Sequence, residues 1–139
     1  MSSTLLVDSS AWIAHYRGEL GPELLRTFTH AMHEGWVILA PPIWLELVVG
    51  FRSPKEREHL ENIRLSTQWL EMPEDIWARA EQNAVRLHTA GVVLRMPDLL
   101  ILTLADTANL KLLHCDKDFD RALKLKDFAR LKVESRVGV

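Results

Sequence analysis

A short apolar run that ends in an aspartate and passes directly into a helical pattern constrains this chain more than any other feature. The run Thr4–Val7 is long enough only for a buried strand, of the kind that is covered on both faces in a parallel sheet. Because ligands bind outside the carboxyl ends of strands in open α/β sheets, Asp8 is a candidate site residue. A structural alternative is that Ser9 or Ser10 caps the following helix and Asp8 only favours the helix dipole.

Composition and charge limit what the chain can be. With 139 residues, of which 47% are hydrophobic and 26% charged, we expect a single domain over residues 1–139 with a real core. The lone cysteine, Cys115, excludes an intrachain disulfide and paired-thiolate metal sites. A formal net charge of -2 lacks the basic surplus of general nucleic-acid binders, so any nucleic-acid contact must be local or supported by metal ions. The absence of a membrane-length apolar run or a leader pattern predicts a cytoplasmic protein without membrane contact.

Helical patterns alternate with short apolar runs along the rest of the chain. Helices are expected to begin near Pro22, Pro41, Ser53, Pro73 and Asp98, with a capping box at Ser53. Beyond the first strand, the predicted strands are Trp36–Ala40, Gln68–Met72 at an edge, Lys111–Cys115, and a last edge strand around Leu131–Val133. This alternation predicts an α/β fold with a mostly parallel sheet.

Three further acids occupy positions like that of Asp8. Asp116 follows a predicted strand, Asp98 lies in the first turn of an apolar helix, and Glu46 is the only ionisable residue of another. Each has a structural explanation as a turn former, a dipole-favouring acid or a solvent-facing residue. An ionised carboxylate among apolar neighbours is costly unless it is paired or bound to a metal, so Glu46 carries most weight. The coincidence of all four favours one shared cleft.

Four carboxylates in one cleft predict a divalent cation. Like charges a few ångströms apart raise one another's pKa, and a cation relieves this repulsion. Ligation by oxygen alone favours Mg²⁺, with Mn²⁺ as a substitute, over zinc. Acidic metal sites of this kind serve phosphoryl chemistry, in which the metal activates water and neutralises developing charge.

Taken in order, the segments around these acids resemble PIN-domain ribonucleases of the VapC toxin type. The resemblance extends from Leu5 to about Leu123, and its motifs are Leu5–Ile13, Ile43–Gly50, Pro97–Ala105 and Leu112–Phe119. It implies a PIN-like three-layer α/β/α fold with a central, mostly parallel sheet. It also implies that Asp8, Glu46, Asp98 and Asp116 are catalytic acids, that Asp8, Asp98 and Asp116 bind the metal, and that Asp118 and Ser9 are auxiliary.

The same resemblance implies a function. It predicts a Mg²⁺-dependent endoribonuclease that leaves a 5′-phosphate and a 3′-hydroxyl and acts as the toxin of a type II toxin–antitoxin pair. The implied partners are RNA, a cognate antitoxin that reaches toward the acids with a basic side chain, and a second copy in a homodimer. Arg17, Arg95 and Lys117 are candidates for binding substrate phosphates. One departure is His114, which stands where the family commonly has a Thr or Ser hydroxyl that helps to order the last acid.

The same residues also allow other functions to be considered. A catalytically silent PIN-like interaction module is the main alternative, with Trp12 and Tyr16 expected to be partly exposed on the first helix as part of a partner groove. A haloacid-dehalogenase-like phosphatase would need an aspartate where Ser10 stands, and His30 and His33 lack an evident third ligand. A scaffold has no reason to keep mutually repelling carboxylates, so the enzyme is favoured.

Overall fold

Four short parallel strands form the central sheet of the computed structural model, which describes residues 4–133. The strands are β1 (Leu5–Val7), β2 (Val37–Leu39), β3 (Gln68–Trp69) and β4 (Lys111–Leu113). They are arranged in the order β3-β2-β1-β4, and all three pairings are parallel. The parallel sheet is confirmed, and the strand predicted at Gln68 lies at an edge, as expected.

Helices cover both faces of this sheet. They are α1 (Ser9–Tyr16), α2 (Pro22–Glu34), α3 (Pro41–Gly50), α4 (Pro54–Ser66), α5 (Ile76–Thr89), α6 (Met96–Ala108) and α7 (Lys117–Leu123). Every residue of β1 and β2 is buried, and successive strand residues point to opposite faces, so neither face of the central strands meets solvent. The expected α/β class is confirmed. Among the described residues, no helix combines the length and the hydropathy needed to cross a bilayer.

Local signals in the sequence set several helix boundaries. In the capping box of α4, Glu56 N–H donates to Ser53 Oγ at 3.2 Å, and Ser53 N–H donates to Glu56 Oε1 at 2.9 Å. Helix α2 ends at Gly35, whose φ of +75° is the left-handed conformation that glycine adopts readily. Pro22, Pro41 and Pro54 each stand at the first position of their helices.

Two expectations from the sequence are wrong. The predicted edge strand at Leu131–Val133 is a 3₁₀ turn over Ala129–Leu131, followed by a single parallel bridge between Leu112 and Lys132. Phe128 and Leu131 are both buried, and their spacing of three matches the 3₁₀ period rather than the strand period. Trp12, expected to be partly exposed, is 1% exposed and packs edge-to-face on Phe28 with 5.1 Å between ring centroids.

The strand order reverses at β1, which positions the candidate site. The chain passes from β1 outward to β2 and β3, and then returns to place β4 on the other side of β1. Such a reversal leaves a crevice outside the carboxyl ends of the two strands that flank it, where ligands bind in open α/β sheets. Asp8 directly follows β1, and Asp116 follows β4 after two intervening residues.

We expect the capping box to contribute measurably to the stability of α4. Replacing Ser53 with Ala removes the acceptor for Glu56 N–H and should lower the free energy of unfolding by about 1 kcal/mol. Urea denaturation would measure this loss, and Ser53→Asp, which keeps an acceptor at the cap, should recover most of it. Equal midpoints for the Ala variant and the parent would show that α4 does not depend on this cap.

Candidate active site

Asp8 joins the end of β1 to the start of α1. Its backbone N–H donates to Leu113 O at 2.9 Å, which extends the β1–β4 ladder by one bond. Its side chain caps α1, because Oδ2 accepts from Ser10 N–H at 3.1 Å and from the Ser10 hydroxyl at 2.6 Å. The structural alternative, in which Ser9 or Ser10 caps this helix, is therefore wrong, because the Asp8 carboxylate occupies the cap position.

The Asp8 carboxyl is deeply buried and only half satisfied. The residue is 2% exposed, and Asp8 Oδ1 has no hydrogen-bond partner among the described residues. Burial raises the pKa of this carboxyl, and the two hydrogen bonds from Ser10 oppose the rise. Ser10 thus holds one oxygen, and the other is able to accept a further ligand.

Glu46 reaches the same place from α3. The Ser9 hydroxyl donates to Glu46 Oε1 at 3.1 Å, so the first residue of α1 holds the one acid of the apolar helix. Burial raises the pKa of the Glu46 carboxyl, and the negative charge of Asp8 raises it further. Glu46 and Asp8 therefore lie close enough to repel each other, as the sequence predicted.

Three other acids form the tightest cluster. Carboxylate oxygens of Asp98, Asp116 and Asp118 all lie within 4.8 Å of one another. Asp98 is 2% exposed, and burial, followed by the negative charge of Asp8, raises the pKa of its carboxyl. Its nearest cation is Arg95, whose Nη2 lies 3.6 Å from Asp98 Oδ2, longer than a hydrogen bond.

The loop from β4 to α7 fixes Asp116 and Asp118. Asp116 caps α7 by accepting Asp118 N–H on Oδ1 at 2.9 Å, and its own N–H donates to His114 Nδ1 at 3.1 Å. Asp118 Oδ1 accepts from Arg121 Nη2 at 2.9 Å. The His114 ring packs against Phe119 with 5.2 Å between centroids, and burial lowers the pKa of the imidazole, which favours the neutral ring that can accept at Nδ1.

The donor set fits a hard divalent cation. All the converging side chains offer carboxylate oxygens, which Mg²⁺ and Mn²⁺ prefer. Asp8 Oδ1 and Asp98 Oδ2 are buried without a hydrogen-bond partner in the described part of the chain, and a buried carboxylate oxygen is costly in that state. A bound cation would supply a partner for both oxygens.

The predicted acidic side chains lie close together in the structure, whereas the predicted basic side chains lie in different places. Arg95 lies beside Asp98, whereas Arg17 is exposed and acts electrostatically on Glu56, at the start of α4. Lys117 is exposed at the first position of α7, between Asp116 and Asp118 in sequence. Asp118 was expected to be an auxiliary acid, but its carboxylate lies in the tightest cluster, with Asp98 and Asp116.

Two contributors were missed by sequence reasoning. They are Ser10, which binds Asp8, and Arg121, which holds Asp118 from one helical turn further along. The i,i+3 spacing of Asp118 and Arg121 was a usable signal for that pair. For Ser10 the sequence offered only two adjacent serines, with no indication of which of them contacts Asp8.

The sequence and the fold both match known proteins. The PIN domain pattern matches residues 5–125 of this chain. The ribonuclease VapC21 of Mycobacterium tuberculosis is 27% identical over 124 residues, which cover 87% of each chain.

Several solved structures share the fold. A DNA-bound VapBC from Salmonella typhimurium has a TM-score of 0.70 at 14% identity, covering 84% of this chain and 90% of that one. VapBC2 from Rickettsia felis, bound to a promoter DNA fragment, has a TM-score of 0.71 at 15% identity and covers 94% and 97%. A toxin–antitoxin complex from Klebsiella pneumoniae has a TM-score of 0.66 at 19% identity and covers 96% and 98%.

We predict that removing one of the buried charges stabilises the metal-free protein. Between the ordinary carboxylate pKa and the raised folded pKa of Asp98, the folded chain holds more protons than the unfolded chain, so stability falls as pH rises through this window. Above that window the penalty is complete. Asp98→Asn should therefore raise Tm in chelator at neutral pH by about 3–5 °C, which corresponds to a relief on the order of 1 kcal/mol.

Melting curves with chelator and with millimolar Mg²⁺ test this expectation. Mg²⁺ should stabilise the parent more than Asp98→Asn, because only the parent offers the full ligand set. Asp106→Asn is the matched control: Asp106 lies on the same helix but pairs with Arg130, so its removal should not raise Tm. If Asp98→Asn melts below the parent in chelator and Mg²⁺ shifts both equally, Asp98 is a structural residue only.

Proposed function

This chain belongs to the PIN-domain family, and from that premise we propose that it is a divalent-metal-dependent endoribonuclease and the toxin of a toxin–antitoxin pair. The observation that carries the proposal is the convergence of Asp98, Asp116 and Asp118, with buried, unpartnered oxygens on Asp8 and Asp98. Buried carboxylate oxygens without partners destabilise the fold and have no use in a purely structural or interaction module, which favours the enzyme over a silent scaffold. The name of the Mycobacterium tuberculosis relative, a ribonuclease, supports the reaction class.

Four aspartates would hold the cation. Asp98, Asp116 and Asp118 supply converging oxygens, and Asp8 adds its free Oδ1 from the end of β1. We take the ion to be Mg²⁺, with Mn²⁺ as a substitute, because every ligand is a carboxylate oxygen. When bound, a divalent cation in such a site neutralises charge on a phosphodiester and activates water for in-line attack.

Glu46 and the nearby cations complete the chemistry. Because burial and the negative charge of Asp8 raise its pKa, Glu46 is a stronger base than an ordinary carboxylate and is suited to accept the proton of the attacking water, and Ser9 orients it for this role. The Arg95 side chain is 72% exposed, and its Nη2 lies 3.6 Å from Asp98 Oδ2, beyond hydrogen-bond range. Its guanidinium can therefore bind a substrate phosphate. Lys117, next to Asp116 in sequence, is proposed as a further phosphate contact, and Arg17, which lies near Glu56 and away from the acid cluster, as a contact to a more distant phosphate. The products are a 5′-phosphate and a 3′-hydroxyl.

An exposed apolar surface beside the acids supports a protein partner. Leu45 is 63% and Met96 64% exposed, and with Pro41, Pro97 and other residues they line an apolar groove that includes Glu46. Exposed apolar grooves of this kind mark interaction sites. The fold is also that of solved VapBC complexes and of a toxin–antitoxin complex.

We propose that a cognate antitoxin covers this groove and directs a basic side chain at the acids. We further propose a homodimer and action in the cytoplasm, where RNA substrate and antitoxin meet.

We predict that RNA cleavage requires a divalent ion and Asp98. Incubation of the purified protein with a pool of cellular RNAs should give 5′-phosphorylated fragments with Mg²⁺ and none with chelator. Asp98→Asn keeps the shape of the side chain but removes a ligand charge, and should reduce cleavage by at least about 100-fold.

The control for this experiment is another variant of α6. Asp106→Asn, two helical turns from Asp98, should cleave like the parent because Asp106 pairs with Arg130 outside the acid cluster. Cleavage that resists chelator, or an Asp98→Asn protein as active as the parent, would refute the proposed reaction.

We also predict that the apolar groove binds the antitoxin. Expression of this chain should slow growth, and co-expression of a small protein encoded beside it should restore growth. Leu45→Ser removes an apolar contact from the groove without adding a charge beside Glu46, and should weaken that rescue while leaving RNA cleavage intact. Leu65→Ser is the matched control, since Leu65 is 84% exposed on α4 and lies outside the groove. Rescue that is unaffected by Leu45→Ser would contradict this assignment.

A further inference from the structure

The Ser10 hydroxyl forms two hydrogen bonds at the candidate site, and their directions are determined. Its oxygen accepts the backbone N–H of Cys115 at 3.0 Å and donates its own proton to Asp8 Oδ2 at 2.6 Å. Asp8, as a carboxylate, can only accept, and a backbone N–H can only donate, so the hydroxyl proton must point at Asp8. The bonds therefore run from Cys115 through Ser10 to Asp8 in one fixed orientation.

This pair of bonds continues the contact between β1 and β4 beyond the sheet. The ladder pairs Val7 with Leu113, and the last backbone bond of this pair of strands runs from Asp8 N–H to Leu113 O. After that point the two chains separate, one into α1 and the other into the loop that leads to Asp116. Ser10 bonds to Cys115, the residue directly before Asp116, and so ties that loop to Asp8 where the ladder has ended.

The same bonds select which oxygen of Asp8 is free. Both the N–H and the hydroxyl of Ser10 donate to Oδ2, while Oδ1 stays buried without a partner among the described residues. Rotation of the carboxyl would break a 2.6 Å charge-assisted bond, which is among the stronger hydrogen bonds in proteins. The free oxygen is thereby fixed in position.

From this geometry we infer that Ser10 is a positioning residue for the divalent-ion site, fixing the free oxygen of Asp8 relative to the loop that carries Asp116 and Asp118. The inference rests on the metal centre of the proposed function. We assign Ser10 to Asp8 and not to the ion, because its proton is donated to Asp8 Oδ2 and its oxygen accepts Cys115 N–H. Ser9, the auxiliary hydroxyl expected from the sequence, instead serves Glu46.

Divalent-ion affinity is the direct test, measured without RNA by titrating the full chain with Mn²⁺ and following its electron paramagnetic resonance signal. Ser10→Ala should weaken Mn²⁺ binding by about 10-fold or more, the usual effect of losing a hydrogen bond to a metal ligand. Ser10→Thr retains the hydroxyl and should bind close to the parent. Ser10→Val has the shape of Thr without the hydroxyl and should bind like Ser10→Ala, so this pair decides the matter even if the Ala variant folds poorly.

Ser53→Ala controls for a general loss of stability. It is the same substitution at another helix start, it also removes a hydrogen bond to the hydroxyl, and it lies outside the acid cluster, so Mn²⁺ affinity should not change. Melting curves in chelator confirm that each variant is folded. Mn²⁺ affinity that is equal in Ser10→Thr and Ser10→Val, or unchanged in Ser10→Ala, overturns the inference.

The outcomes separate this inference from the proposed function. Loss of Mn²⁺ binding in Ser10→Val but not Ser10→Thr, in a protein that never cleaves RNA, supports the positioning role and refutes the ribonuclease. If the protein cleaves RNA with a divalent ion but its Mn²⁺ affinity is the same in the parent and the Ser10 variants, the ribonuclease is supported and the positioning role is refuted. A parent protein that binds no Mn²⁺ overturns both.

Discussion

Two parallel strands, β1 and β4, end side by side, and the chain places an aspartate after each of them. The hydrogen bonds of the ladder bring these two ends together, up to the bond from Asp8 N–H to Leu113 O. Because the strand order reverses here, the connection that follows β1 runs toward β2 and away from β4, which leaves a crevice at the carboxyl ends of β1 and β4. The rest of the site is built around the carboxyl ends of β1 and β4. Helices α3 and α6 then place Glu46 and Asp98 beside these strand ends.

Confining these acids has an energetic cost that the rest of the fold must offset. Burial raises the pKa of Asp8, Glu46 and Asp98, and the negative charge of Asp8 raises the pKa of Glu46 and Asp98 further. The chain uses neutral donors close to them: Ser10 holds Asp8 and Ser9 holds Glu46, and the nearest guanidinium to Asp98 stays beyond hydrogen-bond range. The serine donors orient Asp8 and Glu46 without neutralising them, and Arg95 offsets only part of the rise in pKa at Asp98 and Glu46. A site built in this way retains its affinity for a cation, which full pairing with arginine would remove.

Much of this arrangement could be predicted from the sequence, for a physical reason. A buried strand that ends in an acid is a local pattern, and topology places such ends together, so Asp8 and Asp116 were predictable. An acid in an apolar helix is conspicuous because it is costly, which identified Glu46 and Asp98. That Asp118, and not Asp8, joins Asp98 and Asp116 in the tightest cluster depends on side-chain rotamers, which residue spacing does not determine.

The roles of Ser9 and Ser10 could not be predicted for the same reason, because their hydroxyls leave adjacent positions of one helix in different directions. The last predicted strand failed because Phe128 and Leu131 are buried in the core through a 3₁₀ turn.

His114 shows how a site of this kind accommodates a different residue. The resemblance implies a short hydroxyl side chain at this position that orders the last acid, and an imidazole is much larger than that side chain. In the structure, His114 Nδ1 accepts the N–H of Asp116, as a hydroxyl oxygen at this position also can, and the ring packs against Phe119. The orientation of the Asp116 carboxylate is then fixed by its cap on α7, through the N–H of Asp118. Backbone capping and the aromatic contact therefore perform together the ordering that the family assigns to one hydroxyl, and Asp116 remains in the cluster with Asp98 and Asp118.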